Sequence, residues 1–428
     1  MKFTAVGDFL IQEIFSTDYD GFKDIRDYIL QGDARFFNLE TTINEVNTCF
    51  ASQFSGGSYL RAVPEVIDNA KEFGFNMVST NNNHSLDFSY NGFLSTAENI
   101  ENSGLVSAGT GKDLAEASAP AYLKTENGTV AFVSVCSSFN PTSFAGNPSK
   151  NFPGRPGVNG LRHKDIVQVT EQQMKNLKDI AASTGINAER DNDRKDGYLT
   201  ELPDGCFEFD EMLFEVSDKS GIRTEMNPDD LKRILASVIE AKKNADYVFV
   251  SLHDHTFYEK IENVPPFLEE FCHLCIDNGA DAVIGHGPHL IRGLEIYNNR
   301  PIFYSLGDFV LQLNSIPFAP ADFYEKHGVK IDAGMEELLR VRSNNGKRGL
   351  MYLRKMFETF IPYFEIENGK LTRLELLPVE LGFDETDVKT RGIPKPAKDL
   401  SFISRLKELS KPFGTEMKIE NGVVVVEV

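Results

Sequence analysis

Gly74-Phe75-Asn76-Met77-Val78-Ser79-Thr80-Asn81-Asn82-Asn83-His84-Ser85-Leu86-Asp87 is the stretch on which the reading of this chain turns. Its first half is apolar enough for a buried strand, and polar residues crowd in where that strand should stop. Asn83 offers a carbonyl oxygen to a metal. His84 can serve as an acid or as a donor to charge developing in a transition state. Asp87, three residues on, can orient that imidazole if the chain turns helical here. A plain helix cap would use the same residue types, since Asn and Ser both cap well. The chemical reading gains weight because polar residues close apolar runs repeatedly along the chain.

Upstream, residues 2–6 read as a strand ending in Gly7-Asp8, and residues 34–37 as another ending in Asn38-Leu39-Glu40. Downstream, the run 245–252 ends in His253-Asp254-His255, and 280–284 ends in Gly285-His286-Gly287-Pro288-His289. The run 300–305 ends in Leu306-Gly307-Asp308. Helices are expected over 21–30, 64–73, 91–103 and 265–278. Strands alternating with helices indicate an α/β architecture. Five of the eight histidines fall in these clusters, too many for chance placement. Imidazoles, carboxylates and an amide oxygen make a mixed nitrogen and oxygen shell that suits Mn, Zn, Fe or Ni. Two such ions can activate water near neutral pH and brace a displacement.

Residues 137–162 are rich in Ser, Asn, Pro and Gly and read as a long functional loop. Arg155 and Arg162 in it could hold an anionic group by their guanidinium forks. Residues 163–244 read as a helical insertion, with the charged run 189–196 as a solvated loop. Asn127-Gly128, Asn368-Gly369 and Asn421-Gly422 each predict a hairpin turn. One domain is expected over 1–380, with 381–428 as a C-terminal extension whose β-hairpin packs on it.

Cys272 and Cys275 form a C-x-x-C, but on a pattern that reads as a core-facing helix. Five cysteines without a framework spacing fit a reducing compartment. The net charge of −20 argues against nucleic acid and anionic membranes as partners. No apolar run reaches the ~18 residues of a membrane span. The N-terminal run reads as a strand and not as a signal peptide, so a cytoplasmic location is expected. Oligomeric state is left open.

The order Gly7-Asp8, Asn38-Leu39-Glu40, Asn82-Asn83-His84-Ser85-Leu86-Asp87, His253, Gly285-His286-Gly287-Pro288-His289 and Tyr304-Ser305-Leu306-Gly307-Asp308-Phe309 resembles the CapA, or poly-γ-glutamate capsule biosynthesis, family. So does the loop Pro153-Gly154-Arg155-Pro156-Gly157-Val158-Asn159. That family sits in the calcineurin-like metallophosphoesterase superfamily, and the resemblance spans roughly residues 1–312. It implies a four-layer αββα sandwich with the site at the strand ends. It places Asp8 and His289 on one divalent ion, Asn83, His253 and His286 on the other, and Glu40 between them. His84 would be the acid, with Asp87 and His255 as further catalytic candidates. Asn38 and Asp308 would join Arg155 and Arg162 in contacting substrate. Leu10 stands where the wider superfamily has a histidine, which implies one tight ion and one weaker. The implied activity is a metal-dependent hydrolase acting on an anionic substrate, either a γ-glutamyl or peptide-like amide or a phosphate ester. Two other classes stay open: a non-hydrolytic polyglutamate-binding or assembly subunit, and metal-assisted proton transfer, which His255 would suit.

Overall fold

The computed structural model describes residues 1–313 and 318–428. Apolar, β-branched and aromatic runs form strands, and amphipathic runs between them form helices, giving a mixed α/β fold with several sheets. The chain divides into two compact units, one of Met1–Gly160 with Lys232–Val428, the other of Leu161–Leu231.

The first unit holds a ten-stranded and a six-stranded sheet. In the larger sheet, Lys2–Leu10 pairs in parallel with Ala34–Leu39 on one side and Asp308–Leu311 on the other. In the smaller, Tyr247–His253 lies parallel between Gly128–Cys136 and Ala282–His286. Parallel strands put all their C-terminal ends at one edge, which is why polar residues that close separate runs come together. The registers make this specific: Asp8 is level with Asn38 and Asp308, and His253 is level with His286. Gly7 permits the close approach on one flank, since a Cβ there would meet Gly307 O at 1.8 Å.

Both sheets contribute to one apolar core. Phe36 of the larger sheet sits edge-on to Phe132 and Phe249 of the smaller, with ring centroids 6.1 and 5.4 Å away. Phe3, Met77, Val130, Ile284 and Phe303 fill the same cluster. Burying an aromatic ring of this kind is worth roughly 2–3 kcal/mol from area alone. All three Asn-Gly turns close antiparallel pairs. Asn368 and Gly369, like Asn421 and Gly422, adopt the positive φ that a tight hairpin needs. The last hairpin joins the large sheet through Val423–Val426 against Lys370–Glu380, so residues after 380 continue that sheet.

Two expectations need correcting. The insertion is not simply helical: its helices Glu171–Thr184, Ala188–Lys195 and Pro228–Asn244 accompany a four-stranded sheet built from His163–Val169, Cys206–Phe209, Met212–Val216 and Gly221–Met226. The charged run 189–196 is not a loop but forms the helix Ala188–Lys195 up to its C-cap Asp196, with acids in the first turn and Arg194 and Lys195 in the last, matching the helix dipole. Arg190 and Arg194 both pair with Glu208, which anchors that helix. Cys272 and Cys275 are buried and free on the helix Pro266–Asp277. Among the described residues no helix is long and apolar enough to cross a membrane.

Candidate metal centre

Asp8, Glu40, His253, His286 and Asp308 are all buried at the shared strand-end edge. Asp8 Oδ1 lies 3.3 Å from His286 Nδ1 and 3.6 Å from His253 Nδ1, so a residue of one sheet faces imidazoles of the other. The two imidazole Nδ1 atoms are 2.9 Å apart. Ser251, two residues before His253 on the same strand, has its Oγ 2.8 Å from His286 Nε2, which leaves His286 Nδ1 turned to Asp8. Asp8 Oδ2 accepts from Gly287 N at 2.8 Å. Gly287 has φ 120°, and a Cβ there would strike Asp254 O at 2.5 Å, so glycine is required at that turn.

Glu40 lies between the groups. Its Oε1 is 3.6 Å from His253 Nε2, 3.7 Å from His255 Nε2 and 3.9 Å from His84 Nε2, and its Oε2 is 3.9 Å from His289 Nδ1. Neither oxygen has a hydrogen-bond partner among the described residues, although the residue is fully buried. Asp308 Oδ1 is 2.9 Å from His289 Nδ1, while its Oδ2 is also unpartnered. Asn83 donates from Nδ2 to Gly56 O, which turns its Oδ1 to within 2.8 Å of His253 Nε2.

Candidate ligand atoms fall into three overlapping groups: Asp8 with His253 and His286; Glu40 with His255 and His289; and Asp8, Glu40, His289 and Asp308. Ligands held ~2.1 Å from one ion stand ~3.0–3.4 Å from each other, close to several of these spacings. The electrostatics agree. Burial, then the charges of Asp8, Asp308 and Asp87, push the Glu40 carboxyl well above its usual range. Burial likewise raises Asp308 to about 6. Burial opposes ionisation of Asp8 too, but hydrogen bonds to His253 and His286 hold it well below the usual carboxylate range. Burial lowers His253 to about 4, and lowers His255 well below the ordinary imidazole value. His289 goes the other way: against the effect of burial, Asp308 raises it. Crowded carboxylates beside His253 and His255 held neutral make a donor set that fits divalent cations.

His84 is arranged differently. Its Nδ1 is 2.6 Å from Asp87 Oδ2, which leaves Nε2 turned to Glu40. Asp87 also accepts from Gly56 N and Leu60 N, both at 2.8 Å, so it fixes the imidazole and the 56–60 loop together. The backbone N of His84 donates to Asn82 Oδ1, and Asn82 Nδ2 donates to Leu39 O, tying this turn to the strand before Glu40.

Other expected site residues are engaged elsewhere. Asn38, expected on substrate, donates to Asp8 Oδ1 at 2.7 Å and so orients a candidate ligand. Arg162, expected on an anionic ligand, grips Asp230 with two nitrogens at 2.7 and 2.9 Å; a carboxylate already fills its fork. Arg155 is exposed and donates from Nε to Phe144 O within its own loop, and none of its contacts reaches the cluster. The loop reaches the cluster through its start instead: Ser137 Oγ donates to Asp254, and Ser138 Oγ accepts from His255 N. Sequence reasoning missed Ser251, though its spacing of two from His253 places both on one face of a strand. It also missed Arg292, whose guanidinium binds the carbonyls of Thr256 and Ile261 and faces Asp254; no periodicity marks it.

The comparisons with known proteins agree with these motifs. The uncharacterized proteins y4sH and y4uA of Sinorhizobium fredii are each 32% identical over 435 residues, covering 99% of this chain and 92% of theirs. The capsule biosynthesis protein CapA of Bacillus anthracis is 40% identical over 87 residues, 20% of each chain. The profile of the bacterial capsule synthesis protein PGA_cap matches residues 2–313, nearly three quarters of the chain and every strand end just described. The chain therefore belongs to the PGA_cap family.

Proposed function

We propose that this protein is a metal-dependent hydrolase built on a four-layer αββα sandwich of the calcineurin-like metallophosphoesterase type. Its substrate is an anionic γ-glutamyl or peptide-like amide, in keeping with a family named for capsule synthesis, and a phosphate ester is the competing class. The observation that carries the reading is Glu40: a buried carboxylate, ringed by imidazoles and acids, with both oxygens unpartnered. The core shared by two sheets supports the architecture.

Asp8, expected on one ion with His289, lies against His286 and His253, so Asp8, His253 and His286, with Asn83 beside His253, would hold one ion, and His289 with Glu40 the edge of a second. When bound, such ions acidify water and stabilise charge developing on a substrate oxygen. The protein's own part is orientation and proton handling. Asn38 and Gly287 N fix the Asp8 carboxylate, and Ser251 fixes the His286 ring. Asp87 holds His84 so that its Nε2 can deliver a proton to the leaving nitrogen or oxygen; positioned acids of this kind contribute about 10²–10⁴-fold. The Asp8–His253–His286 group is wholly buried, whereas the side chain of His255 is 28% exposed, so the first ion is the tighter and the second exchanges more readily.

The test is metal analysis of purified protein, followed by assay of γ-glutamyl amides, peptides and phosphate esters with wild type and Glu40→Gln. Ion-dependent hydrolysis that is lost with Glu40→Gln is expected. Bound ions without hydrolysis of any class would leave a binding or assembly role and overturn the hydrolase.

A further inference from the structure

We propose that His255 is an ion ligand and not an acid or base, that with Glu40 and His289 it makes up the second cation site, and that Asp308 orients the His289 ring there. This rests on the metal-dependent reading above and names the residues that make its weaker site whole.

The first strand cannot supply the imidazole that this site would otherwise use. Leu10 is buried among Phe9, Phe37 and Ile43 in the main apolar cluster. His255 approaches from the other sheet. Its Nε2 points inward, 3.0 Å from His253 Nε2 and 3.7 Å from Glu40 Oε1. Asn83 Oδ1, which can only accept, lies 2.8 Å from the same His253 nitrogen. His253 and Asn83 belong to the first ion, and His255 Nε2 stands beside them while sharing Glu40 with His289. Glu40, His255 and His289 are spaced so that one cation can take a donor atom from each.

The backbone is set for this role. Ser138 Oγ accepts from His255 N at 2.8 Å. Arg292, from the segment that carries His286 and His289, clamps the chain just after His255 through Thr256 O and Ile261 O. The loop bearing His255 and the loop bearing His289 are thereby locked together, with ring centroids 5.2 Å apart. On the opposite side, Asp308 Oδ2 is buried and unpartnered while Oδ1 meets His289. Glu40, His255 and His289 offer donor atoms all within 4.8 Å of one another, as do Asp8, Glu40, His289 and Asp308.

The experiment is Co²⁺ titration of the full chain after a chelator has stripped it, with ions counted by mass spectrometry and followed by visible absorption. Wild type should take up two ions. Both variants should keep the first at unchanged affinity; His255→Ala should weaken the second at least ~100-fold, and Asp308→Asn, which alters only the partner of His289, about 10–100-fold. His273→Ala, a histidine bonded to Glu295, is the control and should hold both. Thermal unfolding checks that each variant folds, and near-isosteric Asp308→Asn keeps the test alive if His255→Ala does not. Two ions at unchanged affinity in both variants would overturn this assignment and leave the hydrolase reading standing. A wild type that takes up one ion overturns the two-site arrangement, and one that takes up none overturns both readings.

Discussion

Replacing Asp87 with alanine should cost stability as well as turnover, and the size of the loss can be worked from its partners. The carboxylate accepts from His84 Nδ1, Gly56 N and Leu60 N at 2.6–2.8 Å. Gly56 is half-buried, so water can replace that bond, but Leu60 and His84 are at most 5% exposed. Two donors are then left buried and unsatisfied, at about 1–3 kcal/mol each. The expected loss is about 2–6 kcal/mol. For a chain of this length unfolding as a unit, entropy of about 2 cal/mol/K per residue makes each kcal/mol worth about 1 °C, so Tm should fall by roughly 2–6 °C. Asp87→Asn keeps the shape and one acceptor and should lose less than half as much. Neither change touches a candidate ligand, so ion content should stay at the wild-type level. Differential scanning calorimetry with parallel metal analysis is the assay. If Asp87→Ala unfolds within 1 °C of wild type, or loses its ions, the assignment of Asp87 as anchor of His84 and the 56–60 loop is wrong.

Arg292→Met should cost about as much, because it removes the counter-charge of Asp254 and the donor to two interior carbonyls; breaking a buried pair costs about 3–5 kcal/mol, read as a drop in Tm. His84→Gln should retain its ions and slow hydrolysis of a verified substrate by about 10²–10⁴-fold, and equal rates would exclude it as the proton donor. Acidification should release the ions in two steps, since protons compete for the ligands. The side holding Asp308 should empty first as pH falls through about 6, and the side holding His253 later, towards about 4. Ion counts after gel filtration at a series of pH values would show this, and simultaneous loss of both would contradict it.

Polar residues that close apolar runs were readable because parallel strands gather their ends whatever the intervening chain does. Asp8, Glu40, His253, His286 and His289 needed only that rule to be grouped. The turns at Asn368-Gly369 and Asn421-Gly422 were readable because few other pairs tolerate two successive positive φ values. Partners were harder. Arg162 stands among glycines and prolines as a ligand-binding arginine would, but Asp230 takes its fork, and nothing in the local pattern announces a partner 68 residues on. The insertion misled for a related reason. Its strands are short and largely solvent-facing, so charged residues interrupt the alternation that marks a strand: Met212–Val216 carries Glu215, and Gly221–Met226 carries Arg223 and Glu225, with Arg223 pairing to Glu215 across the sheet and to Glu225 along its own strand.

The closed ends of that insertion bear on how the chain folds. Asn227 N donates to Arg162 O, and Asp230 grips the Arg162 side chain, so the two ends of the segment are fastened to each other. The strands Gly128–Cys136 and Tyr247–His253 are neighbours in the six-stranded sheet, yet the whole insertion lies between them in sequence. A segment that folds first with fastened ends shortens the loop these strands must close about threefold, which lowers the entropic cost of closure by about 1 kcal/mol. Order of assembly would then decide how fast the histidines meet: breaking the clasp with Asp230→Ala should slow refolding of the six-stranded sheet more than it speeds its unfolding.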